Sequence, residues 1–264
     1  MANIPAKVAS RIAAGIKFFQ PVILTAKSRD VNESDTVTII TDMLERILGY
    51  DKYTDVTSEH VIRGTYCDLA IKVDGDLSML IEVKAINLEL KDQFVKQAVD
   101  YAANQGVEWV ILTNACIWRI YHVTFGKPIK SELILEFRLD ELNPKNDEHI
   151  EMFWIIAKEG WKKARLDEFH ARAQVISRFT IAALLRSESL LTQIRREMRK
   201  LADGIKVEND QILDILTQQV IKRDAMEGEK AAEAMKLMNK TSRKQKKEPK
   251  QSTPEETPET PDQF

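Results

Sequence analysis

Two apolar runs, YCDLAIKV (66–73) and SMLIEVKA (78–85), are separated only by Asp74, Gly75, Asp76 and Leu77. Asp-Gly between runs of this kind is a hairpin signal, because the pair favours tight turns joining two strands. A three-residue loop of Asp74, Gly75 and Asp76 places Val73 opposite Leu77, and the same register carries Asp68 opposite Glu82. Side chains alternate along a strand, so Asp68, Glu82 and Lys84 project to one side. Leu69, Ile71, Val73, Ile81 and Val83 project to the other, where they can pack beneath a helix. Any fold for this chain must therefore accommodate two carboxylates and an ammonium in strands apolar enough to be buried. Charges in such a place are paired, bound to a cation or neutralised.

Two carboxylates facing each other across a hairpin repel unless something positive lies between them. A divalent cation fits that role. Asp68 and Glu82, with the Val83 carbonyl beside them, offer hard oxygen ligands suited to Mg²⁺, with Mn²⁺ as its substitute; Mg²⁺ keeps several waters and takes phosphate oxygens from a substrate. Lys84 would then orient or help deprotonate a water and offset charge at a phosphodiester approaching its transition state. Glu82 and Lys84 could equally be a same-face ion pair on an exposed sheet, and these residues alone leave both readings open.

The rest of the 264-residue chain places the hairpin in a larger α/β frame. Val8, Ile12, Ile16 and Phe19 predict a short amphipathic helix stopped near Pro21. A second helix follows, capped by Asn32 or Ser34, with an apolar stripe through Ile40, Met43, Leu44 and Ile47, and Gly49 ends it. Between Tyr53 and Phe137, six β-rich runs are interrupted by one helical pattern that ends at Gly106. Helical spacing resumes after Asn143 in EHIEMFWIIAKEGW, FHARAQVISRFTIAALLR, LLTQIRREMRKLADG and NDQILDILTQQVIKRDA. The large apolar residues then thin out into a basic block followed by an acidic, proline-containing end, the composition of a disordered tail. The predicted divisions are a helical segment at 1–30, a sheet domain at 31–143, a helical region at 144–226 and a disordered charged tail at 227–264.

Composition narrows the function classes. A formal charge of −2 excludes a uniformly basic surface, so a grip on nucleic acid must come from a local patch, a bound cation or a partner. Cys67 and Cys116 lie singly in apolar runs, without zinc or disulfide spacing. Lys7, Arg11 and Lys17 interrupt any leader-like apolar stretch and no run is long enough to span a membrane, so the expected setting is cytoplasmic. There is no phosphate-binding Gly-Lys-Ser/Thr loop and hence no sign of a nucleotide-driven motor. His149 with Glu151 lacks the Pro-Cys-x-x-Cys of a zinc deaminase, Ser187 and Ser189 have no glycine elbow, and His60, His122 and His170 are scattered and read as structural.

Asp68 followed across a hairpin by Glu82-Val83-Lys84 resembles the metal site of the PD-(D/E)XK nuclease superfamily. More narrowly, it resembles the nuclease domain at the N-terminus of type I restriction endonuclease R subunits and the related predicted type IV restriction endonucleases. NESDT before a helix ending in LGYD, then YCDLAI, LIEVKA, QAVDY and WVILTNACIWRIYHV, follow that group's order over residues 31–139. The resemblance implies a restriction-endonuclease-like mixed β-sheet flanked by helices, followed here by the helical region and tail. It further implies Mg²⁺-dependent hydrolysis of DNA, with Asp68 and Glu82 as cation ligands and Lys84 as the water-orienting or charge-stabilising group. Glu33 matches the acidic residue at the start of that group's first helix, where the helix macrodipole would also favour a carboxylate. Glu45, further along, is a weaker contender. Gln97 and Tyr101, four apart and so on one helix face, match a pair that borders the active site in that group.

Cys67 stands where the superfamily's name has proline, which leaves the ligands unaffected. The alternative is a non-catalytic nucleic-acid-binding or assembly module on a nuclease-like sheet. In the alternative the helical region recruits a partner or forms a dimer; in the nuclease it is a plausible seat for a homodimer, since cleaving both strands needs two active sites, acting together or in succession.

Overall fold

Asp74 and Gly75 both adopt positive φ, 53° and 94°, the backbone of the two-residue turn that suits the twist of a hairpin. The computed structural model that contains this turn describes residues 4–62, 65–201 and 206–245. The hairpin joins β2 (Thr65–Val73) to β3 (Asp76–Val83), with Val73 opposite Asp76 and Lys72 opposite Leu77. The expected three-residue loop is thus one residue too long. A bulge between Ile71 and Lys72 takes up the difference, and beyond it Ile71 faces Met79 and Leu69 faces Ile81. That is the same register at the site end that the longer loop predicted, reached through a bulge.

Six strands make one mixed sheet in the order β1-β2-β3-β4-β5-β6, with β1 at Val56–Ile62, β4 at Trp109–Thr113, β5 at Ile117–Thr124 and β6 at Lys130–Arg138. All neighbours are antiparallel except β3 and β4, which are parallel and joined by the crossover helix α3 (Asp92–Gln105). Gly106 closes α3 with φ 70°.

Strand alternation builds two cores. On one face Leu69, Ile71, Ile81, Val83, Ile111 and Trp118 pack with α1 (Ala6–Ser28), α2 (Glu33–Arg46) and α4 (Asp147–Trp154). On the other, Ala70, Leu80, Val110 and Leu112 pack beneath Val95, Ala98, Tyr101 and Ala102 of α3.

The chain divides into two compact units, Met1–Ala171 and Arg172–Phe264. This differs from the boundaries read from the sequence, since α1, α4 and the short α5 (Lys158–Trp161) all belong to the sheet unit. Polar ties explain why. The Arg11 guanidinium donates to both carboxylate oxygens of Glu159 at 2.6 and 2.7 Å, Lys158 pairs with the buried Asp55, and the Tyr50 hydroxyl donates to the Ile156 carbonyl at 2.9 Å.

Nor does α1 stop at Pro21, which lies inside it. The helix continues because Ile23 and Ala26 are buried in the first core, and that burial outweighs the hydrogen bond Pro21 cannot make.

In the second unit the pattern 169–186 is two helices, α6 (Arg165–Val175, which begins in the first unit) and α7 (Arg178–Leu185). The break falls at Ser177, whose side chain caps the Thr180 N–H. Then come α8 (Glu188–Leu201), α9 (Asn209–Ile215), which runs into a π turn at Leu216–Val220, and α10 (Glu229–Gln245). Disorder was expected from 227, yet α10 packs on α7 through the small buried residues Ala231 and Ala234. Residues 246–264 of that expected tail lie outside the described residues. Among the described residues no helix is long and apolar enough to cross a membrane.

Candidate active site

Each charged group of the hairpin is held by its own element. Glu82 and Val83 sit at the end of β3, paired with Leu112 and Thr113 of β4, and the Lys84 N–H donates to the Thr113 carbonyl at 2.9 Å. On the other side the β2–β3 pairing runs from the turn to Leu69 opposite Ile81. Beyond that point side chains carry the link between the strands. One oxygen of the Asp68 carboxylate accepts the Val83 N–H at 2.7 Å, and the Cys67 thiol donates to the Ile81 carbonyl at 3.2 Å. Asp68 is thereby fixed at the end of the paired segment, with its second oxygen directed by a short, charge-assisted bond on the first.

Lys84 Nζ donates to Glu82 Oε1 at 2.7 Å and lies 3.5 Å from Glu33 Oε2, across 51 residues of sequence. It also sits 5.9 Å from the centre of the Phe94 ring on α3. Glu33 occupies the first turn of α2, behind Asn32, whose side chain caps the Asp35 N–H at 2.9 Å. Glu82 is only 8 % exposed, so its pairing with Lys84 is not the exposed surface ion pair considered above.

Burial and the neighbouring charges shift both partners. Desolvation pushes the Glu82 carboxyl above the ordinary range; the Lys84 bond opposes this and the Asp68 charge adds to it. Burial works against the Lys84 ammonium, but the Glu82 hydrogen bond and the charges of Glu82, Glu33 and Asp68 outweigh it and raise its pKa. Cys67 is pushed up to about 12, mainly by burial and then by Glu82 and Asp68, so its thiol stays protonated and able to donate.

Asp68, Glu82, Lys84 and Glu33 are thus brought together. Tyr101 is 2 % exposed in the core that also holds Cys67, and burial raises its pKa. Gln97, one turn earlier on α3, is exposed. Glu45 is elsewhere, 3.2 Å from Lys52. Phe94 joins the site from α3, and its place three residues before Gln97, hence on the same helix face, is the sequence signal that could have found it. His122, His149 and His170 make contacts away from the site. The His122 and His170 rings lie tilted 4.3 Å apart and each meets Trp109 edge to face, and His149 Nδ1 accepts the Asn143 N–H at 2.7 Å.

Among the described residues no three His, Cys, Asp or Glu side chains gather at metal-binding spacing. The oxygen donors expected for a cation here are the Asp68 and Glu82 carboxylates and the Val83 carbonyl. That set fits Mg²⁺, which is commonly held by one or two carboxylates and completes its shell with water and substrate phosphate. It fits zinc poorly, since zinc favours nitrogen and sulfur ligands.

Residues 43–134 match the family model described as the N terminus of type I restriction enzyme R protein. The matched stretch contains Asp68, Glu82, Lys84, Gln97 and Tyr101, while Glu33 precedes it. No curated protein and no solved structure matched the chain.

Proposed function

We propose that this chain, with its match to the type I restriction enzyme R protein N terminus, acts in a restriction system as a Mg²⁺-dependent nuclease that hydrolyses DNA phosphodiester bonds. The observation that carries the proposal is the convergence of Asp68, Glu82 and Lys84 where the β2–β3 pairing ends, in a position too buried for an idle ion pair.

Asp68, Glu82 and the Val83 carbonyl would hold the cation, which would supply Lewis-acid activation of water and neutralise charge on the phosphate. The chain's own residues do the rest. The Val83 N–H holds one oxygen of Asp68 and would leave the other for the cation. Lys84, charged and tied to Glu82, presents an ammonium that can shift to the phosphate oxygens as negative charge develops there. Glu33, 3.5 Å from Lys84, can take a proton from an attacking water. Tyr101 supports the strand from below through the core it shares with Cys67, and Gln97 is the exposed polar group beside it on α3.

Cutting both strands calls for two active sites, together or in turn. We place a second copy at the helical second unit, where Val175, Ile176, Ile181 and Leu184 are exposed.

The test is incubation of the full chain with supercoiled plasmid and with linear duplex, in Mg²⁺ or in chelator, for the natural chain and for Glu82→Ala. The nuclease reading expects conversion only by the natural chain in Mg²⁺. Equal DNA retention by both proteins without any conversion would replace it with the non-catalytic binding module.

A further inference from the structure

The helical hairpin α1–α2 has a second, outward surface at the edge of the first core, against which its lining residues Val22, Val31 and Ile39 also pack. The buried stripe of α1 runs through Val8, Ile12, Ile16, Phe19 and Ile23. A separate stripe, Ala14, Phe18, Pro21, Val22 and Thr25, recurs at four, seven, eight and eleven residues and lines a cleft of about 930 Å³ with Val31, Thr38 and Ile39 from the start of α2. The cleft is a trough open to solvent: Phe18 in its wall is 50 % exposed, and the Arg46 guanidinium lies over that ring at 4.9 Å.

Charge around the trough is one-sided. Lys17 and Arg29 line it, and neither has a carboxylate within ion-pair distance among the described residues; Arg46 stands over Phe18, also without one. Asp35 is the single acidic lining residue. A small ligand would normally be enclosed over most of its surface, which an open trough between two antiparallel helices does not provide. Such a trough suits a third helix that lays an apolar face into it.

We infer that this trough is a docking site for an amphipathic helix of a separate protein, carrying leucine-type anchors at helical spacing and acidic residues on both flanks. Helix α8 of a second copy, the most strongly amphipathic in the second unit, is a poor occupant, because it brings Arg195, Arg196, Arg199 and Lys200 against Glu188 and Glu197 and would meet Lys17 and Arg29 with like charge. The inference is independent of the nuclease reading, since none of Asp68, Glu82, Lys84 or Glu33 lines the trough.

The test uses fluorescence anisotropy with the full chain and two labelled helical peptides of about 18 residues. Both carry leucines at i, i+3, i+4 and i+7; one is flanked by glutamates and the other by lysines. The glutamate peptide is expected to bind at least about tenfold tighter than the lysine peptide. Phe18→Asp and the Lys17→Glu/Arg29→Glu double variant each weaken it by about tenfold or more, and the double variant gains affinity for the lysine peptide. Lys17 and Arg29 are surface residues, so the double variant keeps its melting temperature and its plasmid conversion. That control separates loss of docking from loss of fold and from failure of the nuclease reading. Equal binding of the two peptides, binding of neither, or binding unchanged by the variants overturns the inference. So does displacement of the bound peptide by single-stranded DNA, or sedimentation showing a dimer that Phe18→Asp dissolves.

Discussion

Glu82 holds its proton more tightly than an ordinary carboxyl because it is buried and faces Asp68. Ionising it therefore costs the folded state. That cost is absent below the unfolded value near 4.5, grows as pH rises toward the folded value, and is complete above it. Glu82→Gln, which imitates the protonated acid, should raise Tm most at about pH 8 and hardly at all at about pH 4, while removing cleavage. Thermal melts at both pH values check this, and a gain that is equal or larger in acid contradicts it. Lys84→Ala and Asp68→Asn should each lower the rate of plasmid conversion by about a hundredfold or more, read in single-turnover time courses with the fold verified by circular dichroism. The triad was legible because strand alternation is a period of two and the Asp-Gly turn fixes register to within a bulge. The Lys84–Glu33 approach was not derivable from spacing, since it joins residues 51 apart through the packing of α2 on the sheet. The i, i+4 spacing of Gln97 and Tyr101 gave a shared face but not depth: one is exposed and the other buried.

The ends of elements were harder to read than their existence. Local rules ended α1 at Pro21, and burial of Ile23 and Ala26 overrode them. Ser177 looked like part of one helix, yet its hydroxyl competes for the backbone and caps the next. The helix α10 escaped notice because alanine buries little area and does not register as an apolar stripe. Close approaches are equally silent in the sequence. A Cβ on Gly160 would come 1.9 Å from the Trp154 carbonyl oxygen, so Gly160→Ala should destabilise the first unit by about 3 kcal/mol or more, measured by urea unfolding. An unchanged midpoint would mean that the α4–α5 corner is not built as described. Asn32→Ala removes the cap of α2 and should cost about 1 kcal/mol in the same assay.

At the scale of the whole molecule, the sheet unit contains every residue of the candidate site, both hydrophobic cores and the ties from Arg11, Asp55 and Tyr50 to α5 and the residues just before it. A chain ending at Ala171 should therefore unfold in one cooperative transition and still nick plasmid in Mg²⁺; failure to fold would show that the second unit is needed for the first. The spacing of apolar residues was enough to indicate one sheet domain with a helical appendage. It could not show that α1 and α4 complete the sheet's core, because an apolar stripe does not name its partner. The most direct measurement is titration of Mn²⁺ into the full chain, followed by electron paramagnetic resonance, beside the Asp68→Asn/Glu82→Gln variant. The natural chain should quench the free-ion signal at one site, and the variant should leave it intact. Equal quenching by both proteins, or by neither, would mean that Asp68 and Glu82 do not form a cation pocket.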